Sequence, residues 1–276
     1  MFAKLLKHEF KNSRSILGLL TVICLGVAVV AAIAMKLILV SESSGTYTEG
    51  SAILMLIAFP LLAMAFLAII AYGVTSIILL YVQFFKNKFT DEGYLTFTLP
   101  TNVHQIYLSS LVNMLIWQVI TILTVVVSIG IFVLFGTSAD QLINTDLFRV
   151  DTSEFVLTFE MLGNELGWTP LNTVQMILQY AFSVVSGLVL ATTCITIGAT
   201  IAKKHKALAA IGIYYGMNYV VNGITTIVSM SAGVMGNDFG GVMSGMSIVT
   251  TILNLGIIVG GYFLTTHMMK NKLNLP

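Results

Sequence analysis

The sequence predicts an all-α integral membrane protein with six transmembrane helices, and three observations support this fold class. Of the 276 residues, 57% are hydrophobic and only 9% are charged, whereas a soluble domain carries roughly 25% charged residues. Several charge-free stretches exceed the roughly 20 apolar residues that a spanning helix needs. These stretches show no barrel-type alternation, and an open sheet could not satisfy its backbone hydrogen bonds in lipid.

Six apolar segments are predicted to cross the bilayer. Once their polar ends are trimmed, they lie near residues 16–40, 53–83, 104–135, 170–201, 207–232 and 247–267. The third span is expected to begin after Pro100, where Asn102 and Gln105 have the spacing of a capping box. A signal peptide cleaved after Ala34 is an alternative reading of the first span. The apolar run continues through residues 37–40, which favours a retained span.

The distribution of basic residues predicts the orientation. With the amino terminus placed inside, the outer side holds only Lys36 and Arg149. The inner side then holds Lys4, Lys7, Lys11, Arg14, Lys86, Lys88, Lys203, Lys204, Lys206, Lys270 and Lys272. Because short cytoplasmic loops carry an excess of lysine and arginine, both termini and the loop 84–103 are expected to face the cytoplasm.

Two amphipathic helices are predicted outside the spans. Residues 1–15 place apolar and basic side chains on opposite faces, which is typical of a helix lying in the headgroup layer. Glu9 falls on the apolar face, where it either reaches water or meets a cytoplasmic loop or partner. A short helix at 152–166, within the outer loop 136–169, either covers polar helix ends or gates a substrate. The remainder, 16–276, is expected to form one transmembrane domain.

Glycines and amides suggest where helices meet. The pairs Gly212/Gly216 and Gly256/Gly260 have a spacing that permits close helix contact. Five glycines between 233 and 245 predict a mobile outer loop there. Five amide side chains either hydrogen-bond between helices or line a polar path or subunit interface: Asn113, Gln175, Gln179, Asn218 and Asn222.

Several function classes lack the residues that they require. No lysine directly follows a glycine, so the chain has no GxxxxGK[ST] loop for ATP. No acidic residue, arginine or histidine lies centrally in a span, whereas proton relays and ion-coupled carriers need such groups. The four histidines are scattered rather than at ligand spacing. We expect no catalytic residue, cofactor, metal or nucleic-acid partner.

Residues 86–100, KNKFTDEGYLTFTLP, interrupt the apolar sequence with charges and aromatics. Thr90 can cap a short helix whose first turn carries Asp91 and Glu92, where carboxylates favour the helix dipole. The large apolar side chains from Tyr94 to Leu99 follow in a segment that water should reach. They either dock a cytoplasmic partner or fold back onto the headgroups as an aromatic belt.

The stretch FFKNKFTDEGYLTFTLPTNVHQIYLSSLVNMLIW resembles the segment after the second span in small ABC-2 type permeases, the membrane subunits of Gram-positive ABC exporters. The opening MFAKLLKHEFK resembles their interfacial helix, and six spans with both ends inside match as well. The resemblance implies a bacterial plasma-membrane permease that pairs with a second permease. A separate cytoplasmic ATPase would hydrolyse the ATP, so the chain itself would not be an enzyme.

In that family the loop between the second and third spans packs into a groove on the ATPase. The resemblance therefore implies a docking segment formed by Asp91, Glu92, Gly93, Tyr94, Leu95, Thr96, Phe97, Leu99 and Pro100. It also implies a smaller cytoplasmic contact at Lys203, Lys204 and Lys206. No residue indicates one cargo over another. The alternative function is a non-transporting membrane scaffold or sensor that uses 86–100 to hold another cytoplasmic protein.

Overall fold

The structure, a computed structural model, describes residues 2–43, 49–90, 93, 101–137, 170–202, 205–235 and 239–271. Regular secondary structure within these residues is entirely helical. The six long helices are α1 (Phe2–Ser43), α2 (Glu49–Phe89), α3 (Val103–Thr137), α4 (Pro170–Ile201), α5 (Lys206–Met235) and α6 (Phe239–Asn271). Each predicted span lies within one of them, which confirms the all-α prediction for the described part of the chain.

Five of these helices are long and apolar enough to cross a membrane, which indicates a multi-pass membrane protein in contact with lipid. They are α1, α2, α3, α4 and α6. Helix α5 is not among them, because three tyrosines and two asparagines between residues 214 and 222 reduce its apolar character. A membrane crossing by α5, the orientation of the bundle and the division at residue 15 stay predictions.

The amino-terminal segment and the first span form one continuous helix. The basic side chains of Lys4, Lys7, Lys11 and Arg14 are exposed, whereas Glu9 is only 8% exposed. Glu9 therefore does not extend into water, and the Ser13 hydroxyl donates a hydrogen bond to its backbone carbonyl at 3.0 Å. Whether this part of α1 lies in the headgroup layer stays a prediction. The predicted outer helix at 152–166 lies outside the described residues.

The glycine-rich segment 233–245 is helical at both ends. Helix α5 continues through Met235 and α6 begins at Phe239, earlier than the predicted start near 247. The predicted loop is therefore wrong for these residues. Glycine was taken as a loop former, but it is more frequent in membrane helices than in soluble ones.

The chain divides into two compact units. The first unit comprises Met1–Leu6, Tyr81–Leu115 and Leu157–Pro276, and so holds the start of α1, the carboxyl-terminal end of α2, the start of α3 and all of α4, α5 and α6. Helix α4 is its centre, because it packs against both α5 and α6. In the most apolar 18-residue stretch of α4, 61% of the residues are buried, against at most 28% in the corresponding stretches of α1, α2, α3 and α6.

The second unit comprises Lys7–Leu80 and Ile116–Val156. Helix α1 meets α3 through Phe10 stacked on Trp117, with ring centres 5.3 Å apart, and through Cys24, whose sulfur lies 3.9 Å from the Ser128 hydroxyl. Small side chains on α1 let another helix approach, and the buried Ala34 packs with Ala58 of α2. Large apolar side chains cover the outward faces of α1 and α2, as expected of surfaces that contact lipid.

Candidate functional site

The predicted docking segment lies almost wholly outside the described residues. Of Asp91–Pro100, the structure describes only Gly93. The two helix ends that flank the segment are described, and they form the candidate site. On one side is the end of α2, from Phe84 to Thr90, and on the other is the start of α3, from Val103 to Tyr107.

The end of α2 is more deeply packed than its charges suggest. Lys86 is exposed, but Lys88 is only 2% exposed, and Phe84 and Phe89 are buried beside it with ring centres 6.0 Å apart. Lys88 is therefore enclosed by the protein rather than exposed to solvent.

The chain leaves α2 through a tight turn. The Thr90 hydroxyl donates to the carbonyl of Lys86 at 2.5 Å and so closes the last turn of α2. The Gly93 backbone N–H then donates to the Thr90 carbonyl at 2.8 Å. A Cβ atom at position 93 would overlap the Lys88 carbonyl oxygen and lie 2.8 Å from its carbon. Only glycine fits here without displacing backbone.

Helix α3 begins where the capping pattern predicts. The backbone N–H groups of Gln105 and Ile106 donate to the Asn102 carbonyl at 2.9 and 3.2 Å. Tyr107, in the second turn of α3, is 0% exposed and lies among aromatic and hydroxyl side chains. Helix α3 therefore enters the core of the first unit within two turns of its start.

Five side chains from four helices meet around Tyr107, and we call them the aromatic–hydroxyl junction: Phe84, His104, Tyr107, Thr192 and Tyr262. The Tyr107 ring lies 6.4 Å from that of Phe84 and 5.5 Å from that of Tyr262. Its phenol oxygen lies 2.9 Å from the Thr192 hydroxyl. His104 Nδ1 lies 3.2 Å from the Tyr262 hydroxyl. The junction thus connects α2 and α3 with α4 and α6.

Thr193, the residue after Thr192 on α4, contacts α6 through its hydroxyl group. The Thr193 hydroxyl lies 2.9 Å from that of Thr265 and 3.3 Å from the Gly261 carbonyl oxygen. Further along the same pair of helices, the Ser186 hydroxyl donates to the Asn254 side-chain oxygen at 2.8 Å. Helices α4 and α6 are therefore joined by polar contacts at several levels.

Gly261 makes the contact between α6 and α4 possible. A Cβ atom there would lie 2.7 Å from a Val189 methyl carbon and 2.9 Å from the Thr193 hydroxyl oxygen. We expect Gly261→Ala to destabilise the protein by about 1–2 kcal/mol, as overpacking does in a close-packed core. The measurement is thermal unfolding in detergent, followed by a fluorogenic maleimide that reacts with Cys194, which is 0% exposed, in a Cys24→Ala background.

The neighbouring glycine provides the control. A Cβ atom at Gly260 would meet no atom within 4 Å, so Gly260→Ala should leave stability unchanged or raise it slightly, because alanine is the better helix former. Equal melting temperatures for the two variants would contradict the close approach at Gly261.

Within the described part of the chain, the glycine pairs singled out in the sequence do not form the predicted close contacts. A Cβ atom at Gly212, Gly216, Gly256 or Gly260 would meet nothing within 4 Å. The close approaches lie instead at Gly198 and Gly261. A spacing of four shows that two glycines share a helix face, but it does not show that another helix covers that face.

The other predicted site residues are spread over the fold. Lys203 and Lys204 lie outside the described residues, and Lys206 is the half-buried first residue of α5. Asn113 is buried on α3, and Gln175 and Gln179 are half-buried on α4. On α5, Asn222 is exposed, whereas the half-buried Asn218 donates to the Tyr214 carbonyl of its own helix at 3.0 Å. Whether any of the five amides lines a path stays a prediction.

Sequence reasoning missed the junction residues, although a signal was present. Threonine doublets occur in α4, α5 and α6, at Thr192-Thr193, Thr225-Thr226, Thr250-Thr251 and Thr265-Thr266. Adjacent residues on a helix point about 100° apart, so one doublet can serve two neighbouring helices. Thr192 meets α3 and Thr193 meets α6 in this way.

Among the described residues, no group of three or more histidine, cysteine, aspartate or glutamate side chains could hold a metal ion. The candidate site consists of packed aromatic rings and hydroxyl groups on the helices that flank segment 91–100. No family model, curated protein or solved structure matches the chain.

Proposed function

We propose that the chain is the membrane-spanning permease subunit of an ATP-driven ABC-2 type exporter. It works with a second permease and couples through residues 86–100 to a separate cytoplasmic ATPase. One observation carries the proposal: the acidic and aromatic stretch DEGYLTFTLP, at positions 91–100 between two apolar helices, resembles the coupling loop of that family. Five candidate membrane spans supply a bundle on which such a loop could act.

The flanks of the segment suit the transfer of force. A loop that an ATPase moves must be attached firmly at both ends, because a loose tether absorbs the displacement. Phe84 and Phe89 are buried before the segment and Tyr107 is buried after it. Exposed aromatic side chains beside charges, as residues 94–99 would supply, are typical of the central part of a protein interface.

The docking test replaces two apolar residues of the segment. We expect Phe97→Asp combined with Leu99→Asp to lower the amount of ABC ATPase that copurifies with the chain by more than about tenfold, since loss of an interface hot spot costs at least about 2 kcal/mol. The measurement is quantitative mass spectrometry of the complex, purified in mild detergent from membranes of the native cell.

The control adds the same two charges elsewhere on the predicted cytoplasmic side. His8 and Asn12 are exposed on α1, so His8→Asp combined with Asn12→Asp should leave ATPase recovery unchanged. Undiminished recovery with the Phe97/Leu99 variant would contradict docking at this segment. If the wild-type chain brings down no ABC ATPase but another cytoplasmic protein that needs residues 97 and 99, the scaffold or sensor function replaces the exporter.

A further inference from the structure

A hydrogen bond between Tyr107 and Thr192 joins α3 to α4. The Tyr107 phenol oxygen lies 2.9 Å from the Thr192 hydroxyl oxygen, and either group can donate. The Thr192 hydroxyl also lies 3.0 Å from the carbonyl oxygens of Leu188 and Val189 on its own helix. Either Tyr107→Phe or Thr192→Val removes the bond between α3 and α4.

Tyr107 also contacts the end of α2, the helix that precedes segment 91–100. Its ring touches Phe84, which packs on Phe89 just before the segment, and Tyr107 itself follows the segment on α3. On the far side its ring meets Tyr262, whose hydroxyl contacts His104. One side chain of α3, the helix after the segment, therefore contacts α2, the helix before it, and two further helices, α4 and α6.

The helices that receive this contact are themselves fastened together. Thr193, next to Thr192, contacts Thr265 and the Gly261 carbonyl on α6. Because buried packed elements shift as units rather than deform continuously, a displacement that enters through Tyr107 reaches α4 and α6 together.

We propose that Tyr107 is the positioning residue that transmits movement of segment 91–100 to the α4–α6 pair, by way of its hydrogen bond to Thr192. The proposal rests on the proposed function and names the side chains through which the ATPase acts on the membrane helices. Tyr107 and Thr192 do not touch the ATPase or the cargo in this scheme. They determine which helices move when the segment moves.

The test measures helix movement rather than binding. A cysteine probe is introduced on α6 by Val259→Cys, an exposed position, in a Cys24→Ala/Cys194→Ala background. The purified complex is treated with a maleimide before and after trapping with ATP and vanadate. We expect the nucleotide-dependent change in labelling rate to fall at least about fivefold in Tyr107→Phe and in Thr192→Val, the scale of a typical coupling between sites.

Two features separate transmission from a merely structural role. The double variant should be no worse than either single variant, because both remove the same bond. Thr196→Val deletes an equally buried hydroxyl one turn further along α4, which donates to the Thr192 carbonyl of its own helix at 2.8 Å. Thr196→Val should keep the wild-type response. Thr196→Val, the two single variants and the double variant should all melt within a few degrees of wild type.

The outcomes distinguish the two proposals. If ATPase copurification persists but both single variants keep the full labelling change, or wild type shows none, transmission through Tyr107 is overturned while the permease assignment stands. If Thr196→Val abolishes the change equally, the effect is one of α4 stability and the proposal is also overturned. If no ABC ATPase copurifies with the wild-type chain, the proposed function itself fails.

Discussion

Replacing Gly198 with alanine is expected to lower the melting temperature by about 2–10 °C, the shift that corresponds to a loss of about 1–3 kcal/mol. A Cβ atom at this position would lie 2.5 Å from both the Cα and the backbone nitrogen of Ala210. Those atoms belong to α5 and cannot rotate away as the end of a side chain can. The two helices would have to separate at their closest point.

The position of Gly198 makes this separation costly. It lies one turn before the end of α4, and its carbonyl accepts the Ala202 backbone N–H at 3.1 Å. Helix α5 begins at Lys206, so the crossing lies next to a short connection that allows little adjustment. Gly198→Val should be worse than alanine, because each added methyl group extends the same clash.

Gly187 on the same helix is the matched control for Gly198. A Cβ atom there would meet nothing within 4 Å, so Gly187→Ala should raise stability by up to about 1 kcal/mol through helix propensity alone. Thermal unfolding reported by Cys194 labelling measures both variants, since the buried Cys194 lies between the two glycines on α4. A Gly198→Ala protein as stable as Gly187→Ala would refute the close crossing.

The helices were predictable because the bilayer penalises unpaired backbone and charge so strongly. Any stretch that lacks charge over about 20 residues has few alternatives to a helix, and all six predicted segments are helical. Their ends were less predictable. The start of α6 was placed near 247 instead of Phe239, because glycines at 240, 241 and 245 carry the same local signal in a loop as in a membrane helix.

The contacts between helices were not predictable from the sequence, because they depend on how each helix is rotated. Nothing local distinguishes Gly198 and Gly261, which lie at crossings, from Gly212 and Gly256, which face open space. In the same way, Tyr107 and Thr192 are each ordinary membrane-helix residues until the packing brings them within 2.9 Å. The charged segment could be recognised from the sequence because charged groups are unfavourable in lipid. The side chains that pack the helix ends beside it could be identified only from the structure.

Gly93→Ala is expected to lower ATPase copurification by about tenfold while leaving the bundle folded. The alanine Cβ would overlap the Lys88 carbonyl oxygen, so the chain must leave α2 along a different path. We expect this loss if residues 94–100 dock in a fixed pose. A binding free energy weaker by about 1.4 kcal/mol is enough for a tenfold weaker complex. Melting reported by Cys194 should change little, because Gly93 lies after the end of α2 and the atoms that its Cβ would meet belong to Lys88 of α2 rather than to another helix.

Gly73→Ala is the corresponding control for Gly93→Ala. Gly73 lies within α2, and a Cβ atom there would meet nothing within 4 Å, so ATPase recovery should equal that of wild type. Gly93→Ala differs from the Phe97/Leu99 variant because it removes no side chain that could touch a partner. A fall in recovery would therefore show that the path of the backbone out of α2 matters to docking. Full recovery would mean that the segment binds as a flexible tether, which could not transmit a displacement to Tyr107.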